Sequence, residues 1–181
     1  MTEHCPPVRS EVKLNNIGHC PPSDMEYEDR KHPARLPVIR HGNRSEILFV
    51  TVCTHQRKHI LATPLVHDLL VAAWESADHW LVGRYVILPD HIHLFCSPAQ
   101  VDHLSVQRWI TFWKSSVSKA WPNQDAKPIW QIDGWDRQLR KGDSYSQKWA
   151  YVRNNPVRHG LVDDPEDWPY QGELNQFLWH D

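Results

Sequence analysis

The sequence predicts an α+β domain of ferredoxin-like (RRM-like) plan: an antiparallel sheet with helices on one face, plus an added C-terminal helix. Three observations predict it. Apolar, β-branched stretches alternate with two amphipathic helical stretches in the order β-α-β-β-α-β. The middle two strands are separated only by Pro89-Asp90, too short a link for anything but a tight antiparallel connection. A further capped helical segment follows the fourth strand and lies outside the plan.

Residues 1–34 are rich in Pro, charge and small polar groups and show no periodicity, so a flexible arm is expected there. His4-Cys5-Pro6-Pro7 recurs in it as His19-Cys20-Pro21-Pro22, an echo without an ordered scaffold around it. Arg35, Arg40 and Arg44 form a basic lead-in that suits a nucleic acid backbone or plain solvent. Residues 47–54 read as the first strand. Thr63-Pro64 then supplies an N-cap and first helical residue, with Val66, Leu69, Leu70, Ala73, Trp74 and Ala77 at helical spacing. Strands are expected at 81–88 and 91–96. A second helix is expected from about Asp102, carrying Val106, Trp109, Ile110, Trp113, Val117 and Ala120, and stopping before Pro122. A short fourth strand is expected at 129–132.

In the strand that opens at His91, alternate side chains share a face, so His91 and His93 project together while Ile92 and Leu94 point to the core. Two adjacent imidazoles on a rigid strand are half of a metal site. A bare His-x-His pair is more often polar decoration of a solvated face, so the case rests on what lies downstream. Ser144-Tyr145-Ser146-Gln147 has the capping-box pattern, and the helix it starts must end near Asn154, because Pro156 disfavours the α region for Asn155. On that helix Tyr145, Trp149 and Val152 share one side, and Gln147, Lys148, Tyr151 and Asn155 the other. A tyrosine on the polar side, beside a lysine and one turn before an amide, argues for chemistry, although exposed helical tyrosines are ordinary.

The totals set bounds. A chain of 181 residues is one domain with tails, and the net charge of −2 carries no global basic signal. Lys and Arg outnumber Asp and Glu across residues 105–160, whereas residues 161–181 carry acids and neither Lys nor Arg, so a polyanion partner suits the middle of the chain. Most of the ten tryptophans are expected in the core. The four cysteines lack C-x-x-C spacing and read as reduced thiols of a cytoplasmic protein. No apolar segment is long enough to span a bilayer, and a signal-peptide core is lacking. The expected division is an arm at 1–34, a catalytic domain at 35–172 and an acidic tail at 173–181.

Pro89-Asp90-His91-Ile92-His93-Leu94, followed by Trp149-Ala150-Tyr151-Val152-Arg153-Asn154-Asn155-Pro156-Val157-Arg158-His159-Gly160-Leu161-Val162, resembles the single-tyrosine HUH transposases, and among them the REP-associated tyrosine transposases. Either half alone is a weak signal; the ordered pair around the α-β plan is specific. The resemblance runs from about residue 35 to residue 171. It implies that His91 and His93 are metal ligands, that Tyr151 is the nucleophile, and that Asn155 stands at the third ligand position, where many mobile-element members carry Gln. It also implies Mg²⁺ or Mn²⁺ as cofactor and single-stranded DNA beside a REP-like hairpin as partner. It suggests a bacterial, nucleoid-associated location, and fits a monomer or a homodimer in which the tyrosine helix comes from either subunit. Candidate DNA contacts are Arg35, Arg40 and Arg44 in the lead-in, Arg137, Arg140 and Lys141 in an expected loop before the tyrosine helix, and Lys148 on it.

The chemistry is coherent in itself. A phenol with a pKa of about 10 is a poor nucleophile at neutral pH. A cation on the phosphate neutralises charge and orients the group for in-line attack, leaving a 5′-phosphotyrosine and a free 3′-hydroxyl. Two other readings compete: a domesticated protein that holds hairpin DNA without cutting, and a metal hydrolase in which water attacks.

Overall fold

The structure, a computed structural model, describes residues 46–140 and 143–179. The expected arm, together with Arg35, Arg40, Arg44 and Lys141, lies outside the described residues. The elements are β1 (Leu48–Thr54), α1 (Pro64–Ser76), β2 (Trp80–Ile87), β3 (His91–Pro98), α2 (Val106–Lys119), β4 (Trp130–Gln138), α3 (Tyr145–Arg153), α4 (Asn155–Arg158) and β5 (Gln171–Glu173). The sheet order is β4-β1-β3-β2-β5, and every pairing is antiparallel. The first four strands follow the ferredoxin-like order, and β5 adds an edge next to β2.

Every residue of β1 is buried, because this central strand has a layer on both faces. On one face Leu48, Val50 and Val52 join Ile92, Leu94 and Cys96 beneath α1 and α2. Trp74, Trp109, Trp113 and Trp130 meet edge-on or tilted in that core, as expected for most of the tryptophans. On the other face Ile47, Phe49, Val86, Leu88 and Phe95 pack with Leu139, Tyr145, Val152 and Trp168. The sheet face opposite α1 and α2 is therefore partly roofed by α3 and the segment around Trp168, because Tyr145 and Val152 need apolar cover.

Local signals explain the boundaries. Thr63 Oγ1 accepts from the Val66 N–H at 3.3 Å and starts α1, with Pro64 in its first turn. Ser105, rather than Asp102, caps α2, its Oγ accepting from the Arg108 N–H. Strand β4 runs well past Ile132, because β1 offers it a hydrogen-bonding edge as far as the Leu48–Gln138 pair. After β5 the chain stays packed: Phe177 and Trp179 lie against the second core, and Asn175 Nδ2 donates to the Val82 carbonyl at 2.8 Å.

Cys96 is a free, buried thiol, and burial pushes its pKa up. Cys53 is disulfide-bonded, which corrects its reading as a reduced thiol; the readings of Cys5 and Cys20 lie outside the described residues. Among the described residues no helix is long and apolar enough to cross a membrane.

Candidate metal centre and the tyrosine helix

The hairpin between β2 and β3 closes with the Leu88 N–H donating to the His91 carbonyl at 2.8 Å, so β3 begins at the first histidine. Period-2 alternation then places both rings on the α3 side of the sheet. Their centroids are 4.7 Å apart and nearly perpendicular at 85°, and the residues are only 5% and 6% exposed.

Each ring is held by its Nδ1. Asp90 Oδ1 lies 2.6 Å from His91 Nδ1, and Thr51 Oγ1 lies 2.9 Å from His93 Nδ1. Thr51 is there because the β1–β3 register sets it opposite His93. The Asp90 carboxylate can only accept, so His91 Nδ1 carries the hydrogen and Nε2 the lone pair; Thr51 Oγ1 engages His93 at Nδ1 and leaves Nε2 as that ring's other nitrogen. Phe49 stacks on His93 with centroids 5.3 Å apart and an interplanar angle of 26°, which further fixes that ring. Asp90 is held in turn by Arg57, whose Nε lies 2.7 Å from Oδ2. Gln56 and Arg57 both adopt left-handed backbone (φ 54 and 55), an uncommon conformation for non-glycine residues, at the turn that delivers this guanidinium.

Burial pushes the pKa of His91 down; Asp90 opposes that, and Arg57 and His159 add to it. Burial would raise Asp90, but its hydrogen bond with His91 and the charges of His91, Arg57 and His59 hold its carboxyl below the usual range. The pair therefore stands as a carboxylate accepting from a neutral imidazole, the form a metal ligand needs.

Asn155 opens α4 and is 2% exposed. Its Nδ2 donates to the Val152 carbonyl at 3.0 Å, which leaves Oδ1 as the atom that could ligate a cation. His159, one turn on, has its ring centroid 5.9 Å from that of His91, so the α4 face shared by Asn155 and His159 turns toward the histidine pair. Two imidazole nitrogens and an amide oxygen fit a divalent cation. Among the described residues no group of three His, Cys, Asp or Glu side chains is placed to hold one, so His91 and His93 would need a third donor of another type.

Tyr151 stands on α3, one turn before Asn155, and is half-buried. The cap is as expected: the Gln147 N–H donates to Ser144 Oγ at 3.0 Å. The Arg158 guanidinium sits over the Tyr151 ring, 4.5 Å from its centroid. The phenol lines a hollow with Trp149, Ala150, Arg153, Asn154, Arg158 and Pro165; the histidines are not among its lining residues.

The side of α3 expected to be polar is not solvated throughout. Lys148 is half-buried with Nζ 5.4 Å from the Phe49 ring centre, on the same sheet face as His93. Burial, then the charge of Arg137, push its pKa down, while Asp143 opposes them. Arg137 lies in β4 opposite Phe49, not in a loop, and so shares that face. Arg140 follows β4, where its N–H donates to Asp143 Oδ2, and its side chain is exposed.

Sequence reasoning missed Thr51, Arg57, Phe49, Arg158 and the ring contact of His159. Asp90 carried a signal by adjacency to the histidine pair, and Arg158 and His159 by place in the downstream motif.

No protein-family model matches the chain. A Haemophilus influenzae protein assigned to the REP-associated tyrosine transposases is 25% identical over 145 residues, covering 72% of this chain and 81% of that protein. The REP-associated tyrosine transposase of Escherichia coli K12 is 29% identical over 89 residues, 49% of this chain and 52% of its own length. This chain is similar to proteins named REP-associated tyrosine transposases. A solved structure of one such transposase, bound to a REP hairpin, superposes with a TM-score of 0.57 at 22% identity, covering 76% of this chain and 82% of that one. That likeness shows a shared fold with the REP-associated tyrosine transposases.

Proposed function

We propose that this chain is a metal-dependent endonuclease and strand transferase that cuts single-stranded DNA beside hairpins, with Tyr151 as nucleophile. The observation that carries the reading is the disposition of donor atoms: Nδ1 of His91, Nδ1 of His93 and Nδ2 of Asn155 are each engaged by a protein oxygen, so Nε2, Nε2 and Oδ1 are the atoms to offer a cation. The hairpin partner is inferred from the relatives and from the REP hairpin held by the solved transposase. A divalent ion, Mg²⁺ or Mn²⁺, supplies charge neutralisation and orientation of the scissile phosphate when bound there.

The chain's own groups do the rest. Tyr151 Oη attacks phosphorus in line, the P–O3′ bond breaks, and the 3′-oxygen leaves as a hydroxyl once protonated. The 5′-phosphate stays on the tyrosine as a diester, so a 3′-hydroxyl attacking in reverse rejoins a strand without ATP. Lys148 and Arg137, on the His93 face, meet backbone phosphates, as does Arg140 at its rim. Arg35, Arg40, Arg44 and Lys141 remain proposed contacts of the same kind.

The test is incubation of hairpin-flanked single-stranded DNA with the protein and Mg²⁺ or Mn²⁺, followed by a search for a protein–DNA adduct that survives SDS. The adduct is expected with the native chain and lost in Tyr151→Phe. Cleavage that persists in Tyr151→Phe would assign attack to water, and binding without cleavage would leave a hairpin-holding protein. The homodimer question is answered by mixing Tyr151→Phe with His91→Ala: adduct formation only in the mixture means that the phenol crosses between subunits.

A further inference from the structure

The hollow beside Tyr151 has a volume of about 480 Å³ and is lined by Trp149, Ala150, Tyr151, Arg153, Asn154, Arg158 and Pro165. That volume lies within the range of small-molecule sites, about 300–1,000 Å³. Its walls are fixed by packing and pairing. Arg153 Nη2 lies 2.7 Å from Glu166 Oε1, tying α3 to the turn Pro165–Asp167, and Asp164 Oδ1 caps that turn by accepting from the Glu166 N–H at 2.8 Å.

The two arginines are not equivalent. Arg153 is neutralised by Glu166. Arg158 is exposed and has no carboxylate partner among the described residues; its one described contact is the face of Tyr151. An uncompensated guanidinium at the mouth of an aromatic hollow favours an anion with a planar group attached. Asn154, exposed at the end of α3, adds an amide that both donates and accepts and so can read the edge of a base. Aromatic and guanidinium planes stack on any unpaired base.

We propose that this hollow is a nucleotide subsite. It takes one unpaired nucleotide of the strand flanking the hairpin, with the base between Trp149, Asn154 and Pro165 and its phosphate on Arg158. The subsite rests on the DNA reading above and deepens it: the tyrosine's own helix would select a single-stranded flank, apart from the sheet face that carries the histidines.

The experiment measures binding of the full chain to two DNA hairpins, one with and one without a single-stranded flank carrying 2-aminopurine. The native chain is expected to bind the flanked hairpin more tightly, with a change in 2-aminopurine emission. Arg158→Ala is expected to lose about tenfold of that flank-dependent gain, and the emission change with it, while binding the unflanked hairpin as the native chain does. Arg158→Lys, which keeps the charge without the plane, is expected to retain part of the gain. A full gain and a full emission change in Arg158→Ala would overturn the subsite while leaving the hairpin reading intact. Failure of the native chain to bind either hairpin would overturn both.

Discussion

Thr51 and Asp90 each hold a histidine by Nδ1, so each governs which nitrogen would face the proposed cation. Partners of this kind are commonly worth about 10- to 100-fold in metal affinity. Thr51→Val keeps the shape and removes the oxygen, so Mn²⁺ binding followed by calorimetry should weaken by about that factor. The fold should lose about 1–3 kcal/mol, because removing one partner of a buried hydrogen bond costs the desolvation of the other. An unchanged affinity would mean that Thr51 does not orient His93 for a metal. His91 makes a second, pH-dependent statement. Burial lowers its pKa in the folded chain, so the folded state binds that proton less readily than the unfolded state does. Its contribution is then present above the ordinary value of about 6.5 and is lost as pH falls through that value toward the lower folded one. In an NMR titration of the metal-free protein the His91 ring should reach half-protonation below about 6.5. A midpoint at or above it would contradict the burial argument.

At the scale of elements, α3 depends on one cap. Ser144 Oγ satisfies the Gln147 N–H, and removal of such a cap typically costs about 0.5–2 kcal/mol. Ser144→Ala should lower the urea midpoint by an amount in that range; no shift would show that Tyr145 and Val152, both buried, anchor the helix alone. Elements announced by periodicity or caps were legible in the sequence: the α1 stripe behind Thr63, the two histidines at period 2, and the helix behind Ser144. Strand β4 was legible only at its start, because Asp133-Gly134-Trp135-Asp136 has no apolar alternation and owes its pairing to β1. Helix α4 was hidden by the rule that Pro156 disfavours the α region for Asn155, whereas Asn155 opens that helix. Pro156 does end the preceding helix, but it also occupies the second position of a new one, where its missing N–H costs nothing. The grip of Thr51 on His93 was hidden because a long-range register creates it.

Across the whole molecule the sheet separates two cores with different duties. Trp113, fully buried among Trp74, Trp109 and Trp130, belongs to the helix-side core, away from the histidines. Trp168 belongs to the second core, and its Nε1 donates to the Ile87 carbonyl at 2.9 Å, at the base of the hairpin that presents His91. Replacing either by Ala removes a large buried ring and should cost about 3–5 kcal/mol. Their effects on the site should differ. Trp113→Ala leaves the hairpin's support in place, so any molecule that remains folded should bind Mn²⁺ with near-native affinity. Trp168→Ala frees the Ile87 carbonyl and loosens the turn through Pro89 and Asp90, so its affinity should fall even where denaturant curves show the chain fully folded. Equal losses of affinity in the two variants would mean that the layers are coupled through the sheet, and that the proposed metal centre depends on global stability rather than on the hairpin beneath it.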